Sequence, residues 1–117
     1  MNYVGAAYLA CMGSARSGSG YVTLATTPSL QALTTTKLTE PTYLLLPEGP
    51  DGNPVPDGAS TILSNLPSYN VLLAGCGLGQ HAGTHALLER ILLSTTPLQV
   101  PVVLDADALN TLALIPD

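Results

Sequence analysis

The chain has 117 residues, of which 46% are hydrophobic and 9% are charged, and its formal net charge is −5. This length predicts a single domain, and the acidic balance excludes a nucleic-acid-binding protein, because such a protein needs a basic surface. No apolar run approaches the ~20 residues of a membrane-spanning helix, and the first residues lack the basic start and apolar block of a signal peptide. The charged fraction is far below the usual share of about a quarter, so we expect apolar faces buried against other subunits or against more chain.

Cys11 and Cys76 are the two cysteines of the chain. Their surroundings in the sequence differ, which predicts two free thiols and is typical of a reducing compartment. We therefore expect a cytoplasmic protein that binds neither nucleic acid nor a membrane.

The first half of the chain alternates helical and extended patterns. Many small residues between Tyr3 and Arg16 predict a helix that packs closely on a sheet and ends at the glycine turn of residues 18–20. Thr27 before Pro28 is typical of an N-cap followed by proline at the first helical position. The predicted elements that follow the first helix are, in order, a strand at 21–25, a helix from 28 towards 34, a strand at 42–46 and a loop at 48–58.

The second half of the chain continues the same alternation. Its predicted elements are a short helix at 60–66 stopped by Pro67, a strand at 70–74, a glycine loop at 75–79, a helix at 84–94, a strand at 100–104 and a helix from about Asp107. Helices that alternate with strands predict an α/β fold, here a parallel sheet of four strands with helices on both faces.

The segment from Val102 to Asn110 joins a predicted strand to the start of a helix. Its uninterrupted apolar run is typical of a strand buried on both faces of a parallel sheet. Asp105 and Asp107 follow directly, separated by one alanine. Because ligands of open α/β sheets bind beyond the carboxyl ends of the strands, these carboxylates are candidates to face a substrate or a phosphate-bound metal. Alternatively, either aspartate caps the next helix.

Gly75, Gly77 and Gly79 alternate along the loop after the third predicted strand. Such glycines let the backbone approach a ligand closely and aim amide groups at an anion. A dinucleotide-binding fingerprint would need glycine or alanine at Gln80 and an acidic residue nearer than Asp105, and a Walker loop would need a lysine. A tight turn without a ligand is the alternative.

Neither the histidines nor Cys76 belongs to a recognisable catalytic or metal site. His81 and His85 have the spacing of one helix face, but a zincin would carry glutamate at Ala82 and a third ligand with recognisable spacing. We therefore expect solvated or capping histidines and no metal. A lowered pKa is conceivable for Cys76 at the approach to a helix, but without a base partner an inert thiol is the simpler interpretation.

Three segments in order carry a resemblance to one family. Residues 3–10 and 16–25 are similar to a Gly-Ala-Ala helix followed by an R-S-G-A-G-L-V-T-V-A turn and strand. Residues 73–79 are similar to a loop of sequence G-P-G-L-G, and residues 103–110 match V-L-D-A-D-A-L-N; residues 40–43 resemble the Pro-Glu segment between the first two, in altered order. This combination resembles the ADP/ATP-dependent NAD(P)H-hydrate dehydratase family, which implies a ribokinase-like three-layer α/β/α fold with a mainly parallel sheet.

The resemblance implies a reaction that restores hydrated NADH or NADPH, driven by ADP or ATP with Mg2+. Members phosphorylate the hydroxyl of the hydrate and then expel phosphate. The family's opening strand, His-Pro-Gly-Glu segment, adenylate loop and Gly-Ser-Gly-Asp motif with the catalytic aspartate have no counterpart here, and Cys76 replaces a proline. Residues 1–117 therefore form, in this interpretation, a single partial domain that lacks the first strand and the C-terminal catalytic half and is inactive alone.

The part of the family's site that can be carried over is the one that binds the hydrate. Small residues permit close approach of a flat ring, and loop amides suit a pyrophosphate. Of the two carboxylates, Asp105 is the expected site-facing group, and Asp107 is expected to cap the helix. No catalytic or metal-binding residue is assigned, and the expected substrate-binding residues are Ala6, Gly77, Gly79, Asp105 and Asn110.

The leading interpretation is thus a segment of an NAD(P)H-hydrate dehydratase that carries part of the hydrate-binding site. The alternatives are a non-catalytic α/β nucleotide-binding module and another ribokinase-like kinase acting on a small hydroxyl substrate. A partial sheet with a low charged fraction exposes an edge and an apolar face. We therefore expect a homo-oligomer, or burial of these surfaces against the rest of the domain, and the family's own oligomeric state points the same way.

Overall fold

The computed structural model describes residues 4–116, in which helices and strands alternate. The elements are α1 Val4–Arg16, β1 Thr23–Thr26, α2 Pro28–Thr34, β2 Thr42–Leu45, α3 Gly58–Asn65, a 3-10 turn Leu66–Ser68, β3 Leu72–Ala74, α4 Ala82–Leu92, β4 Val102–Leu104 and α5 Asp107–Leu112. Every predicted helix and strand is found, and none of their described ends is shifted by more than two residues. The predicted start of the first helix, Tyr3, lies outside the described residues.

The strands form two parallel pairs. β1 pairs with β2, with Thr23 opposite Thr42, and β3 pairs with β4, with Leu72 opposite Val102. The predicted α/β class with parallel strands is therefore confirmed, and it is consistent with a partial ribokinase-like domain. The predicted continuous sheet of four strands is wrong, because within residues 4–116 backbone ladders join only β1 to β2 and β3 to β4. Each pair is a strand–helix–strand unit connected by its own helix, α2 or α4.

The apolar core lies between α3, α4 and the end of β2. Leu87 and Ile91 are four residues apart on α4 and therefore share one face of the helix. They are both 3% exposed and pack with Ile62 of α3 and with Leu46, which follows β2. This cluster packs α4 against α3 and against the residue that follows β2, so that the loop before α4 leads into a packed helix.

The connection after β2 binds the start of α2. Thr27 is at the predicted N-cap position, but its hydroxyl donates to the Gly52 carbonyl oxygen over 2.9 Å and does not cap the helix. Glu48 binds the first turn of α2 instead. Its carboxylate accepts hydrogen bonds from the Ser29 backbone N–H at 3.0 Å and from the Ser29 hydroxyl at 2.9 Å. These bonds lower the pKa of Glu48. The proline-rich loop is thus tied to the first strand–helix–strand unit.

β4 is not buried on both faces as its sequence predicted. Val103, at its centre, is 52% exposed, and its partner Leu73 in β3 is 43% exposed. The physical reason is that nothing among residues 4–116 covers this position of the pair. None of the helices in the described part of the chain is long and apolar enough to span a bilayer.

Candidate functional site

The glycine loop begins at the end of β3 with a contact that admits no side chain. Gly75 has a φ of 124°, and a Cβ atom there would overlap the carbonyl oxygen of Asp105. Gly77 and Gly79 also have positive φ values, 77° and 78°. The loop therefore needs glycine for its backbone conformation, and at position 75 also for close approach to the segment after β4.

The segment after β4 turns sharply into α5. The Asp105 N–H donates to the Ala74 carbonyl oxygen at 3.1 Å, which extends the β3–β4 ladder to the carboxylate. Ala106 then has a φ of 47° and a ψ of −116°, a conformation that costs energy for a residue with a side chain. This turn places Asp105 at the strand end and Asp107 in the first turn of α5.

Asp107 anchors the glycine loop. One of its carboxylate oxygens accepts the Gly79 backbone N–H at 2.8 Å, and the other accepts the side-chain amides of Gln80 and Asn110, both at 3.3 Å. The prediction that Asp107 caps the helix is wrong, because the N-cap position is Ala106 and no side chain caps α5. The strained turn moves Asp107 one residue into the helix, where its side chain reaches the loop instead.

Asp105 lies beside the loop and is exposed. The Cys76 thiol donates to an Asp105 carboxylate oxygen at a sulfur–oxygen distance of 3.8 Å. Partial burial, and after it the negative charge of Asp105, raises the pKa of the Cys76 thiol. The thiol is thus protonated at neutral pH, which supports the inert interpretation over an activated nucleophile.

The five expected binding residues fall into two groups. Gly77 lines a cleft of about 300 Å3 between β1 and β3, together with Val4 and Ala7 of α1. Ala6 lies between these two on α1 and is half-buried, but it is not among the residues that line the cleft.

The second group surrounds Asp107 and the glycine loop. Gly79 and Asn110 both bond to Asp107, and exposed Asp105 contacts the loop through Cys76. The structure therefore brings Gly79, Asn110 and Asp105 together around the loop. Asp107 is the residue that sequence reasoning misassigned, and its place three residues beyond the end of β4 was the signal available.

Two backbone N–H groups of the glycine loop already donate hydrogen bonds to acceptors within the protein. The Gly79 N–H is taken by Asp107, and the Leu78 N–H points back to the Gly75 carbonyl oxygen at 3.4 Å. The charged side chains that the structure places against the loop, Asp105 and Asp107, are both acidic. This donor set fits neither the phosphates of ADP or ATP nor the pyrophosphate of the dinucleotide, because it offers neither free amides at these positions nor a cation.

The histidines lie at the start of α4. His81 occupies the N-cap position without a side-chain cap bond, and His85 is half-buried, with Nε2 buried and without a hydrogen-bond partner. The expectation of a solvated or capping histidine is therefore wrong for His85. Across residues 4–116 no group of three or more His, Cys, Asp or Glu side chains has the arrangement of a metal site.

Comparison with known proteins places this arrangement in a family. The Bifunctional NAD(P)H-hydrate repair enzyme Nnr of Moorella thermoacetica is 38% identical over 109 residues, which are 93% of this chain and 20% of that protein. The protein of the same name from Salinibacter ruber is 36% identical over 112 residues, 95% of this chain and 20% of its own length. The chain thus spans about a fifth of the length of these curated relatives. The model of the family described as NAD(P)H-hydrate dehydratase matches residues 1–116, and the chain belongs to this family.

Proposed function

We propose that this chain is a segment of an ADP/ATP-dependent NAD(P)H-hydrate dehydratase and carries part of the surface that binds hydrated NADH or NADPH. The observation that carries the proposal is the contact between the glycine loop, residues 75–79, and the segment that follows β4. The carbonyl of Asp105 fits against Gly75, and the carboxylate of Asp107 holds Gly79. Family membership and the names of the relatives support the same substrate class.

Each expected binding residue has a role in this proposal. Gly77 gives the flat nicotinamide ring access to the backbone. Ala6 remains a proposed contact on α1, although its neighbours Val4 and Ala7, and not Ala6 itself, line the cleft. The exposed carboxylate of Asp105 accepts hydrogen bonds from hydroxyl groups of the dinucleotide. Asn110 is exposed and contributes an amide next to Asp107. Gly79 maintains the loop conformation through its bond to Asp107.

The adenine nucleotide and its Mg2+ belong, in this proposal, to chain beyond residues 1–117. The donor set around the glycine loop does not fit nucleotide phosphates, so no catalytic step is assigned to this chain. In the proposal, residues 1–117 form a single partial domain of a cytoplasmic enzyme, without its first strand and its C-terminal catalytic half.

Binding of the hydrate to this chain is the direct test. We expect a titration with NADPH hydrate, followed by amide NMR shifts, to perturb Gly77, Gly79 and Asp105, whereas the Asp57–Arg90 ion pair should be unaffected. Asp105→Asn should weaken binding, because the carboxylate is the better hydroxyl acceptor, and Asp57→Asn is the matched control. Equal affinity of both variants, or shifts confined to other surfaces, would contradict the proposed site.

Repair activity of the isolated chain provides a second test. Because the Gly-Ser-Gly-Asp motif that carries the family's catalytic aspartate is not among residues 1–117, we expect no ADP- or ATP-dependent recovery of NADPH absorbance above the spontaneous rate. Turnover clearly above that rate would show that the essential residues lie within this chain. Binding of ATP in the absence of hydrate would favour the nucleotide-binding module, and phosphorylation of another small hydroxyl compound would favour the kinase.

A further inference from the structure

The four strands start at one end of the molecule. The Tyr69 hydroxyl, just before β3, donates to the Thr23 hydroxyl oxygen at 3.0 Å, and the Tyr69 and Tyr21 rings stack with centroids 6.4 Å apart. β1 and β3 therefore start side by side, and each pairs in parallel with its neighbour, β2 or β4. The segments that follow the strands lie at the opposite end. They form what we call the strand-end surface, residues 27–29, 46–54, 75–81 and 105–110.

The strand-end surface carries four carboxylates. Glu48 and Asp51 follow β2 and are exposed, whereas exposed Asp105 and half-buried Asp107 follow β4. The described part of the chain measures 39 × 32 × 23 Å, and charges in water interact over ~10 Å at 0.1 M ionic strength and over ~30 Å at 0.01 M. At low ionic strength these four carboxylates therefore act together on any ion that binds at this end.

Asp51 belongs to the surroundings of the glycine loop. Hydrogen bonds from Asn53 lower the pKa of Asp51, and the charge of His81 adds a smaller effect in the same direction. Such an effect requires proximity, and His81 is the N-cap residue of α4, two positions after the glycine loop. Asp51 and Asp105 are thus exposed carboxylates from two different segments near the same loop.

The three lysine and arginine residues of the chain lie elsewhere. Arg16 ends α1, which leads into β1, and Lys37 lies between α2 and β2, so both belong to the end of the molecule where strands start. Arg90, near the end of α4, donates to an Asp57 carboxylate oxygen at 2.7 Å, so its charge is matched there. A phosphate group at the strand-end surface therefore lies near carboxylates, and the guanidinium and ammonium groups of this chain are remote from it or paired.

NADH hydrate and NADPH hydrate differ by one phosphate on the 2′ oxygen of the adenosine ribose. This phosphate adds a charge of about −1.5 to −2 at neutral pH, whereas NADH hydrate keeps a free hydroxyl group there. Dinucleotide sites generally present an acidic side chain to the free 2′ hydroxyl and an arginine to the 2′ phosphate. The physical reason is that a carboxylate accepts a hydrogen bond from the hydroxyl group but repels the phosphate.

We propose that this chain binds NADH hydrate more tightly than NADPH hydrate, and that Asp105 and Asp51 are the residues that determine this preference. The inference rests on the proposed function, because it requires the hydrate to bind beside the glycine loop, and it adds a choice between the two substrates. Asp105 has the more direct effect, since the proposed function assigns its carboxylate to hydroxyl groups of the dinucleotide. At a separation of about 8 Å in water, two added negative charges near one carboxylate weaken binding about fivefold.

The experiment titrates the 117-residue chain with NADH hydrate and, separately, with NADPH hydrate, and follows amide NMR shifts to obtain two dissociation constants. At about 10 mM ionic strength we expect NADH hydrate to bind about fivefold more tightly. The ratio of the two constants should fall at about 0.5 M salt, where screening weakens the repulsion. Equal affinities at low ionic strength, or tighter binding of NADPH hydrate, would overturn the inference. A ratio that does not change with salt would overturn its electrostatic basis.

Three variants test which carboxylates determine the preference. At about 0.1 M ionic strength, where screening limits each charge to about 10 Å, Asp105→Asn and Asp51→Asn should each lower the ratio about twofold. Glu40→Gln is the matched control: it removes the same charge from an exposed residue before β2, at the end where strands start, and should leave the ratio unchanged. An unchanged ratio in Asp105→Asn, or an equal fall in Glu40→Gln, would overturn the assignment.

The ratio distinguishes this inference from the proposed function. Contacts that both hydrates make cancel in it, so a general loss of binding in a variant does not change the ratio. If both hydrates perturb the loop amides with equal affinity, the proposed function stands and the preference is overturned. If neither hydrate perturbs those amides, the proposed function fails, and the preference fails with it.

Discussion

At the scale of single residues, the site depends on a few backbone positions where only one residue type fits. Gly75 contacts the Asp105 carbonyl, and Ala106 turns the chain with a positive φ so that Asp107 reaches the loop. These contacts join residues about 30 positions apart, and they hold the glycine loop in place without a ligand.

Gly75→Ala should destabilise the chain strongly. The new Cβ would meet the Asp105 carbonyl and would require a φ of 124°, so we expect a loss of about 3 kcal/mol or more in the free energy of unfolding. Gly20→Ala is the control, because a Cβ there meets nothing within 4 Å. Urea denaturation measures both, and similar stability of the two variants would refute the close approach.

Asp107→Ala should loosen the glycine loop. It removes the acceptor of the Gly79 N–H, and a hydrogen bond to a charged group contributes about 1.5–3 kcal/mol. Asp57→Ala is the control, since its ion pair with Arg90 is exposed and such pairs contribute about 0–1 kcal/mol. Amide exchange at Gly79 should accelerate only in Asp107→Ala; unchanged exchange there would show that Asp107 does not anchor the loop.

At the scale of elements, a side chain from another segment stabilises the start of α2. α2 begins at an N-cap threonine that does not cap it, and Glu48 from the loop after β2 binds Ser29 in its first turn. The sequence signal at Thr27 and Pro28 located the helix correctly, because proline fixes the backbone there. It did not reveal the capping group, which lies about 20 residues away.

Part of the loss of stability at acid pH should therefore come from protonation of Glu48. Hydrogen bonds from Ser29 lower the pKa of Glu48 below its ordinary 4.5. A carboxyl whose pKa is lowered by folding stabilises the folded state above its unfolded pKa, and this contribution is lost as the pH falls through the folded value. Between pH 7 and pH 3 we expect Glu48→Gln to lose less stability than the unchanged protein, as measured by thermal unfolding. Glu40→Gln, an exposed control, should follow the unchanged protein, and identical pH curves for all three would contradict this role.

At the scale of the whole molecule, the described part of the chain exposes many large apolar side chains, and only 9% of the residues are charged. The exposed large apolar side chains of the described part include Leu9, Leu33, Val71, Val103, Leu109, Leu112 and Leu114. Burial stabilises by about 25 cal/mol per Å2 of apolar area, so a patch of several hundred Å2 gives a substantial drive to associate.

We therefore expect the folded chain to self-associate through an interface rich in leucine, valine and alanine. Light scattering at micromolar concentration, with circular dichroism to verify folding, measures this association. A folded and monodisperse monomer would contradict the prediction and would show that the exposed residues do not form a continuous patch.

The sequence by itself determined the elements of this protein and its family. Periodic apolar residues, prolines and glycines act within a few positions of the chain, so the helices, the parallel strands and the glycine loop could be predicted from local pattern alone. The motif order from residue 3 to residue 110 was sufficient to indicate the NAD(P)H-hydrate dehydratase family, which the family match confirms.

The tertiary structure decided what depends on distant partners. Asp105 and Asp107 look equivalent in the sequence, but the positive φ of Ala106 directs the second to Gly79 and leaves the first exposed. The division of the strands into two pairs and the exposure of Val103 also have no local signal. Both features depend on which strand edges are paired and which sheet faces are covered among residues 4–116. Such contacts join distant parts of the chain, so no local sequence pattern reports them.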